Sequence, residues 1–126
     1  MITNYSIGDF MIRLQNASMA KRKEVVLKSN KLIKAAAETL KRAGYLNEIK
    51  IEGDEIKVTL SYKKKEPVLD RVKIISKPGL RIYMTAADIA EIRKPSILLI
   101  STPKGVLTSK EAVKENVGGE VIAEVL

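Results

Sequence analysis

At 126 residues and 45% hydrophobic content, the chain can bury one ordinary core or two small ones packed together, and it is too apolar to remain disordered. The formal net charge of +8 favours a polyanionic partner, either nucleic acid or an anionic membrane surface. There is no Cys and no His, which excludes disulfides, thiolate nucleophiles, imidazole bases and the usual zinc ligands.

In chain order, Ser6 to Ala17 reads as a short helix, with Ile7, Phe10, Met11 and Leu14 at helical spacing. Ser6 and Asp9 resemble a capping box at its start. Arg13 and Asn16 share another face, either solvated or turned to RNA. Lys21-Arg22-Lys23 is a basic connector, and Glu24 to Leu27 is β-prone. Asn30 to Ala43 carries the clearest helical pattern. Leu32, Ile33, Ala36, Ala37 and Leu40 form its apolar stripe, Lys41 and Arg42 suit the negative end of the helix dipole, and Gly44 is a natural stop. Leu46 to Glu52 and Glu55 to Tyr62 alternate as a hairpin around Gly53-Asp54. Lys63-Lys64-Lys65-Glu66-Pro67 then breaks the pattern and reads as a linker between two lobes, residues 1–66 and 67–126. Its lysines are of the kind found in solvated loops, and beside a phosphate backbone they would add attraction.

The second lobe opens with a strand from Arg71 to Ile75. Lys77-Pro78-Gly79-Leu80 fits a type II turn. Leu80 to Met84 reads as a strand with Leu80, Ile82 and Met84 on one face and Arg81 and Tyr83 on the other. A short helix fits Ala86 to Ile92, and Ile97 to Ile100 is a buried strand. Thr108 to Glu111 is a second capping-box pattern, Asn116 to Gly119 ends its helix, and Glu120 to Leu126 is a final strand. The expected class is α/β (α+β): an N-terminal α-β-α-β-β lobe and a mostly β C-terminal lobe with one short helix. Residues 1–66 hold fourteen basic against eight acidic side chains, and residues 67–126 hold nine against seven. General attraction for a polyanion therefore belongs to the first lobe, and any specificity in the second must come from local geometry.

Two stretches invite a chemical reading. Ser101-Thr102-Pro103-Lys104-Gly105 leaves a buried strand and groups two hydroxyls, an ammonium and a glycine. These suit ribose hydroxyls, base edges and phosphates, although a plain turn uses the same residue types. Gly105 there would let another backbone approach closely. Asn116-Val117-Gly118-Gly119-Glu120 serves as a helix end, or exposes glycine N–H groups to a ligand while Glu120 accepts a donor or braces the neighbouring loop. Tyr83 beside Arg81 offers a stacking surface next to a cation, or a partly buried core residue. An enzyme is not expected. The carboxylates are scattered, Gly118-Gly119 lacks the surroundings of a phosphate-binding loop, and Ser101 and Ser109 have no His to serve as base. No cofactor is implied. The chain opens without a secretory pattern, and no apolar run approaches the roughly 20 residues that span a bilayer. The lysine-rich helix at 30–43 has an alanine-dominated apolar face, which suits a core better than a membrane surface.

Three segments together resemble one known family, small-subunit ribosomal protein eight of the bacterial type. They are Lys77-Pro78-Gly79-Leu80-Arg81-Ile82-Tyr83, Ser101-Thr102-Pro103-Lys104-Gly105-Val106-Leu107-Thr108, and Val117-Gly118-Gly119-Glu120-Val121. Asp9 to Ala17, with Arg13 and Asn16, is similar as well. The resemblance implies a two-lobe fold that binds the central domain of small-subunit rRNA during assembly, in a cytoplasmic ribosome and beside neighbouring ribosomal proteins. It implies that the Ser-Thr loop and the Gly-Gly-Glu turn meet an irregular stem in its minor groove. It also implies that such proteins can repress their own messenger RNA; a free-standing RNA-binding regulator on the same fold is the alternative. Pro103 stands where the family usually has a small hydroxyl residue, Val113 where a basic residue is common, and the C-terminus lacks the usual aromatic residues.

Overall fold

The structure is a computed structural model that describes residues 6–92 and 95–126. Helix α1 (Ser6–Met19) buries Ile7, Phe10, Met11, Leu14 and Ala17, the face that the helical spacing marks out. Ser6 is its first residue, and Asp9 accepts from Arg13 Nε at 3.1 Å; the position ahead of Ser6 lies outside the described residues. After β1 (Glu24–Lys28), α2 (Lys31–Arg42) is capped by Asn30, whose side chain accepts the Ile33 N–H at 2.8 Å. The buried stripe of α2 is Ile33, Ala36, Ala37, Thr39 and Leu40. Leu32, expected inside, is exposed, and Thr39 lies inside in its place. The stripe has turned because α2 packs not only on α1 and β2 (Leu46–Glu52) but also on the second lobe's β9 (Gly105–Thr108).

Strands β1, β2 and β3 (Glu55–Leu60) form an antiparallel sheet in the order β1-β3-β2, with Gly53 at φ +59° in the turn. The segment expected to be a linker is instead a tight hairpin. Here β4 (Tyr62–Lys63) pairs with β5 (Glu66–Pro67), and Lys64 and Lys65 both turn through positive φ. A basic, Pro-containing string looks like a spacer in sequence. The Val68 N–H closes the hairpin locally by donating to the Ser61 carbonyl at 2.9 Å, and a tertiary bond anchors it, from the Tyr62 hydroxyl to the Arg22 carbonyl at 3.0 Å.

The second sheet runs β6 (Val72–Ile74), β10 (Gly119–Val125), β8 (Ile97–Thr102), β9, and β7 (Tyr83–Met84) also pairs with β10. The turn at Lys77–Leu80 is as expected, with Gly79 at φ +82°. The strand expected from Leu80 shrinks to Tyr83–Met84, and Leu80 is 61% exposed. Buried Ser76 explains this, because its hydroxyl accepts the Ile82 N–H at 3.0 Å and so occupies a donor the ladder would have used. Two short helices rather than one accompany this sheet, α3 (Ala86–Ala90) and α4 (Ser109–Glu115), each opened by a complete capping box. α4 ends on Asn116 in the left-handed region.

One apolar cluster runs through both sheets, from Phe10, Leu14, Ile33 and Leu40 to Leu69, Leu99, Val106 and Val125. A smaller cluster of Ile89, Leu98, Ile100, Ala112 and Val121 lies on the other face of the second sheet. Hydrogen bonds pin the halves together. Gln15 Oε1 accepts the Val72 N–H at 2.6 Å, and the Ser18 hydroxyl donates to the Leu69 carbonyl. Thr39 Oγ1 donates to the Val106 carbonyl at 2.7 Å.

Candidate nucleic-acid interface

The candidate site grows from the register of β10. Glu120 pairs with Ser101 on one side and Tyr83 on the other, and Ser101 pairs with Val106. Cross-strand partners project to the same face, so Tyr83, Glu120 and Ser101 form one row. Strict alternation from Val125 would not produce it. Val121 pairs with Ile100 but Ala123 with Leu99, so Ile122 is an extra residue, and this bulge re-aims everything N-terminal to it.

Each member of the row has a definite environment. Tyr83 is 68% exposed, so its ring is a surface feature and not core. Arg81 Nη1 lies 3.0 Å from Glu120 Oε2, and the Glu120 side chain is 24% exposed. Glu120 therefore braces the cation beside Tyr83, and not the Ser-Thr loop that the sequence suggested. Ser101 is half-buried, and its hydroxyl makes no hydrogen bond among the described residues. Thr102 differs: its hydroxyl accepts the Lys104 N–H at 3.1 Å and donates to the Gly105 carbonyl at 2.7 Å, closing the loop on itself. Pro103 and Lys104 form the exposed tip, and Lys104 Nζ lies 3.5 Å from Glu115.

The glycines have roles opposite to those expected. Gly105 has open space around it and φ +110°, so it is required by backbone conformation, not by a close neighbour. Gly118 and Gly119 are the crowded ones. A Cβ on Gly118 would sit 2.3 Å from the Met84 carbonyl oxygen, and one on Gly119 would sit 2.0 Å from that of Ser101. The pair lets β10 lie tight against the backbone of its neighbours, where a side chain would not fit.

The structure thus gathers Arg81, Tyr83, Ser101, Thr102, Pro103, Lys104, Gly105, Gly118, Gly119 and Glu120 at one end of the second sheet, with Lys77 on the turn leading into it. Arg13 and Asn16 are not joined to this group. They lie on α1 beside a hollow lined also by Arg22, Glu24 and Val26. Sequence reasoning missed the cluster beneath the loop. Arg42 pairs with Glu111 at 3.1 and 3.2 Å, and Arg42 and Thr39 both reach the Val106 carbonyl. No local pattern signals it, because Arg42 lies outside the apolar stripe and Glu111 is 69 residues away in sequence. Arg42 bonding holds the Glu111 carboxyl below the usual carboxylate range, against the opposing effect of burial and with added help from the Thr108 N–H.

Chemically, the row offers an available hydroxyl, an open aromatic face and a braced cation, with no paired acid and base. Among the described residues no cluster of acidic side chains is suited to hold a metal, and no helix is long and apolar enough to cross a membrane. A basic α+β chain that presents a polar strand row of this kind is of the nucleic-acid-binding class. Comparison with known proteins makes this particular. The family model described as ribosomal protein S8 matches residues 5–126, and the chain belongs to that family. It is 43% identical to small ribosomal subunit protein uS8 of Mycoplasma mobile over 122 residues, covering 93% of this chain and 92% of the relative. It is 46% identical over 123 residues to the protein of that name from Mycoplasmopsis pulmonis, at 93% and 92% coverage. The one from Trichormus variabilis is 36% identical over 132 residues, covering 99% of each chain.

Proposed function

We propose that this chain is a structural constituent of the small ribosomal subunit that binds the central domain of its rRNA and supports assembly, with residues 67–126 reading the site and residues 1–66 anchoring it. The observation that carries this reading is the register that sets Tyr83, Glu120 and Ser101 side by side with the Ser101 hydroxyl free. In an irregular stem, widened minor-groove edges and 2′-hydroxyls would meet Ser101 and the Thr102–Gly105 tip, and an unstacked base would find the Tyr83 ring. A messenger leader that imitates this stem would bind the same surface. Within the subunit the partners are rRNA and neighbouring ribosomal proteins.

The test is Ser101→Ala, because Thr102 is committed to its loop and its loss would confuse contact with conformation. Affinity for the rRNA stem should fall by about 1–3 kcal/mol, as one hydrogen bond is lost and its RNA partner is left unsatisfied. Titration of a random duplex should show no change. Equal losses on the two RNAs would defeat the assignment.

A further inference from the structure

Helix α2 of the first lobe reaches the second lobe's sheet beside the strand that carries Ser101. β9 ends that sheet next to β8, and its Val106 is the register partner of Ser101. Buried Thr39 donates to the Val106 carbonyl at 2.7 Å, and Arg42 Nη2 lies 3.4 Å from the same oxygen and 3.2 Å from Thr39 Oγ1. Arg42 also grips Glu111 through two bonds, Nε to Oε2 at 3.1 Å and Nη2 to Oε1 at 3.2 Å. Glu111 Oε1 in turn accepts the Thr108 N–H at 2.9 Å, and Thr108 pairs with Leu99 on β8. One guanidinium therefore holds β9 at Val106 directly and at Thr108 through Glu111.

Stability alone is a poor reason for this arrangement. The Arg42 and Glu111 side chains are 49% and 35% exposed, and an ion pair so open to water adds only modestly to folding. Nor is Arg42 spare for a phosphate, since its bonds go to Glu111, Thr39 and Val106. What a planar fork supplies is direction. The reading loop needs direction on this side, because a hollow of about 570 Å³ lies against it, lined by Thr39, Arg42, Lys104, Gly105, Val106 and Glu111. Close packing does not fix the hairpin there. On its other side β8 lies tight against Gly119 of β10.

We infer that Arg42 is a positioning residue for RNA reading: it sets the place of β9 and, through the Val106–Ser101 pair, the aim of the Ser101 hydroxyl. The inference rests on the proposed reading of the rRNA stem by the Ser101 row. It gives the first lobe a part in selectivity as well as in general attraction. A shift of about 0.5 Å or more at Ser101 is enough to carry a hydrogen bond of about 2.9 Å toward the limit at which it weakens.

The experiment uses the full chain. Each folded variant is titrated with the rRNA stem and with a random duplex, well below its unfolding transition. Arg42→Lys keeps the charge but loses the fixed fork. Its affinity for the stem should fall about three- to tenfold, the scale of one weakened hydrogen bond, while the duplex affinity and the salt slope hold. In a Ser101→Ala background the same substitution should add less than about twofold, because Arg42 acts through that hydroxyl. Glu111→Gln reaches the fork from its other end. It makes the chain more positive, so bulk electrostatics would strengthen both complexes, whereas the positioning role lowers stem affinity relative to duplex. Unchanged stem affinity in Arg42→Lys, losses that multiply independently with Ser101→Ala, or equal gains on both RNAs in Glu111→Gln would each overturn the role. Equal loss on both RNAs in Arg42→Lys would overturn it too, by making Arg42 a direct phosphate contact. A wild-type chain that does not prefer the stem to the duplex would instead sink the rRNA reading itself.

Discussion

Gly119→Ala separates a glycine that serves a ligand from one that serves the fold. The added Cβ would lie 2.0 Å from the Ser101 carbonyl oxygen, 2.9 Å from its carbon and 3.1 Å from Thr102 Cα. A carbon and a carbonyl oxygen rest at about 3.3 Å or more, so the strands must part by over about 1 Å at this point. The neighbouring atoms are backbone of β8 and cannot rotate away. Such overpacking costs about 3 kcal/mol, and because Gly119 does not have positive φ, the lower entropy of an unfolded alanine chain returns up to about 1 kcal/mol. The net loss of about 2 kcal/mol should lower the unfolding temperature by roughly 6–8 °C for a chain of this size. Thermal unfolding followed by circular dichroism gives the number, and titration with the rRNA stem well below the transition gives the affinity of the folded variant. The affinity should fall as well, because Ser101 rides on the strand that moves. An unchanged unfolding temperature with lost affinity would refute the reasoning and return Gly119 to the role of a direct RNA contact.

The remaining predictions concern the core and the junction between the halves. Leu40→Ala empties a fully buried site in the shared core and should cost about 2–5 kcal/mol in denaturant unfolding, as one transition for the whole chain; a near-neutral result would place α2 outside the core. The folded Glu111 carboxyl is held below its unfolded value of about 4.3, so its contribution is complete above that pH and is lost as pH falls through the depressed folded value. Glu111→Gln keeps the capping pattern but removes the charge. The urea midpoint of the wild-type chain should therefore drop more steeply than the variant's as pH falls below about 4.3, and parallel curves would dismiss the Arg42 pairing as a source of stability.

Local signals were legible where local physics decides. The capping box at Thr108 and Glu111, the type II turn through Gly79, the Gly53 turn and the apolar spacing of α1 depend on residues within a turn or two of each other, so the sequence alone determined them. The positive charge of residues 1–66 was likewise plain, and so was the coincidence of three segments that points to the family. Long-range interactions decided the rest. The Lys63–Pro67 string is held as a hairpin because Arg22, 40 residues from Tyr62, supplies an anchoring carbonyl, and Leu32 yields to Thr39 because β9 presents the Val106 carbonyl to α2. The Ser101 row depends on a bulge at Ile122 that no alternation pattern signals, since one inserted residue reverses the face of all that precede it. Gly105 and Gly119 look alike in sequence; one answers to a dihedral angle and the other to a neighbouring strand, and only the assembled sheet separates the two demands.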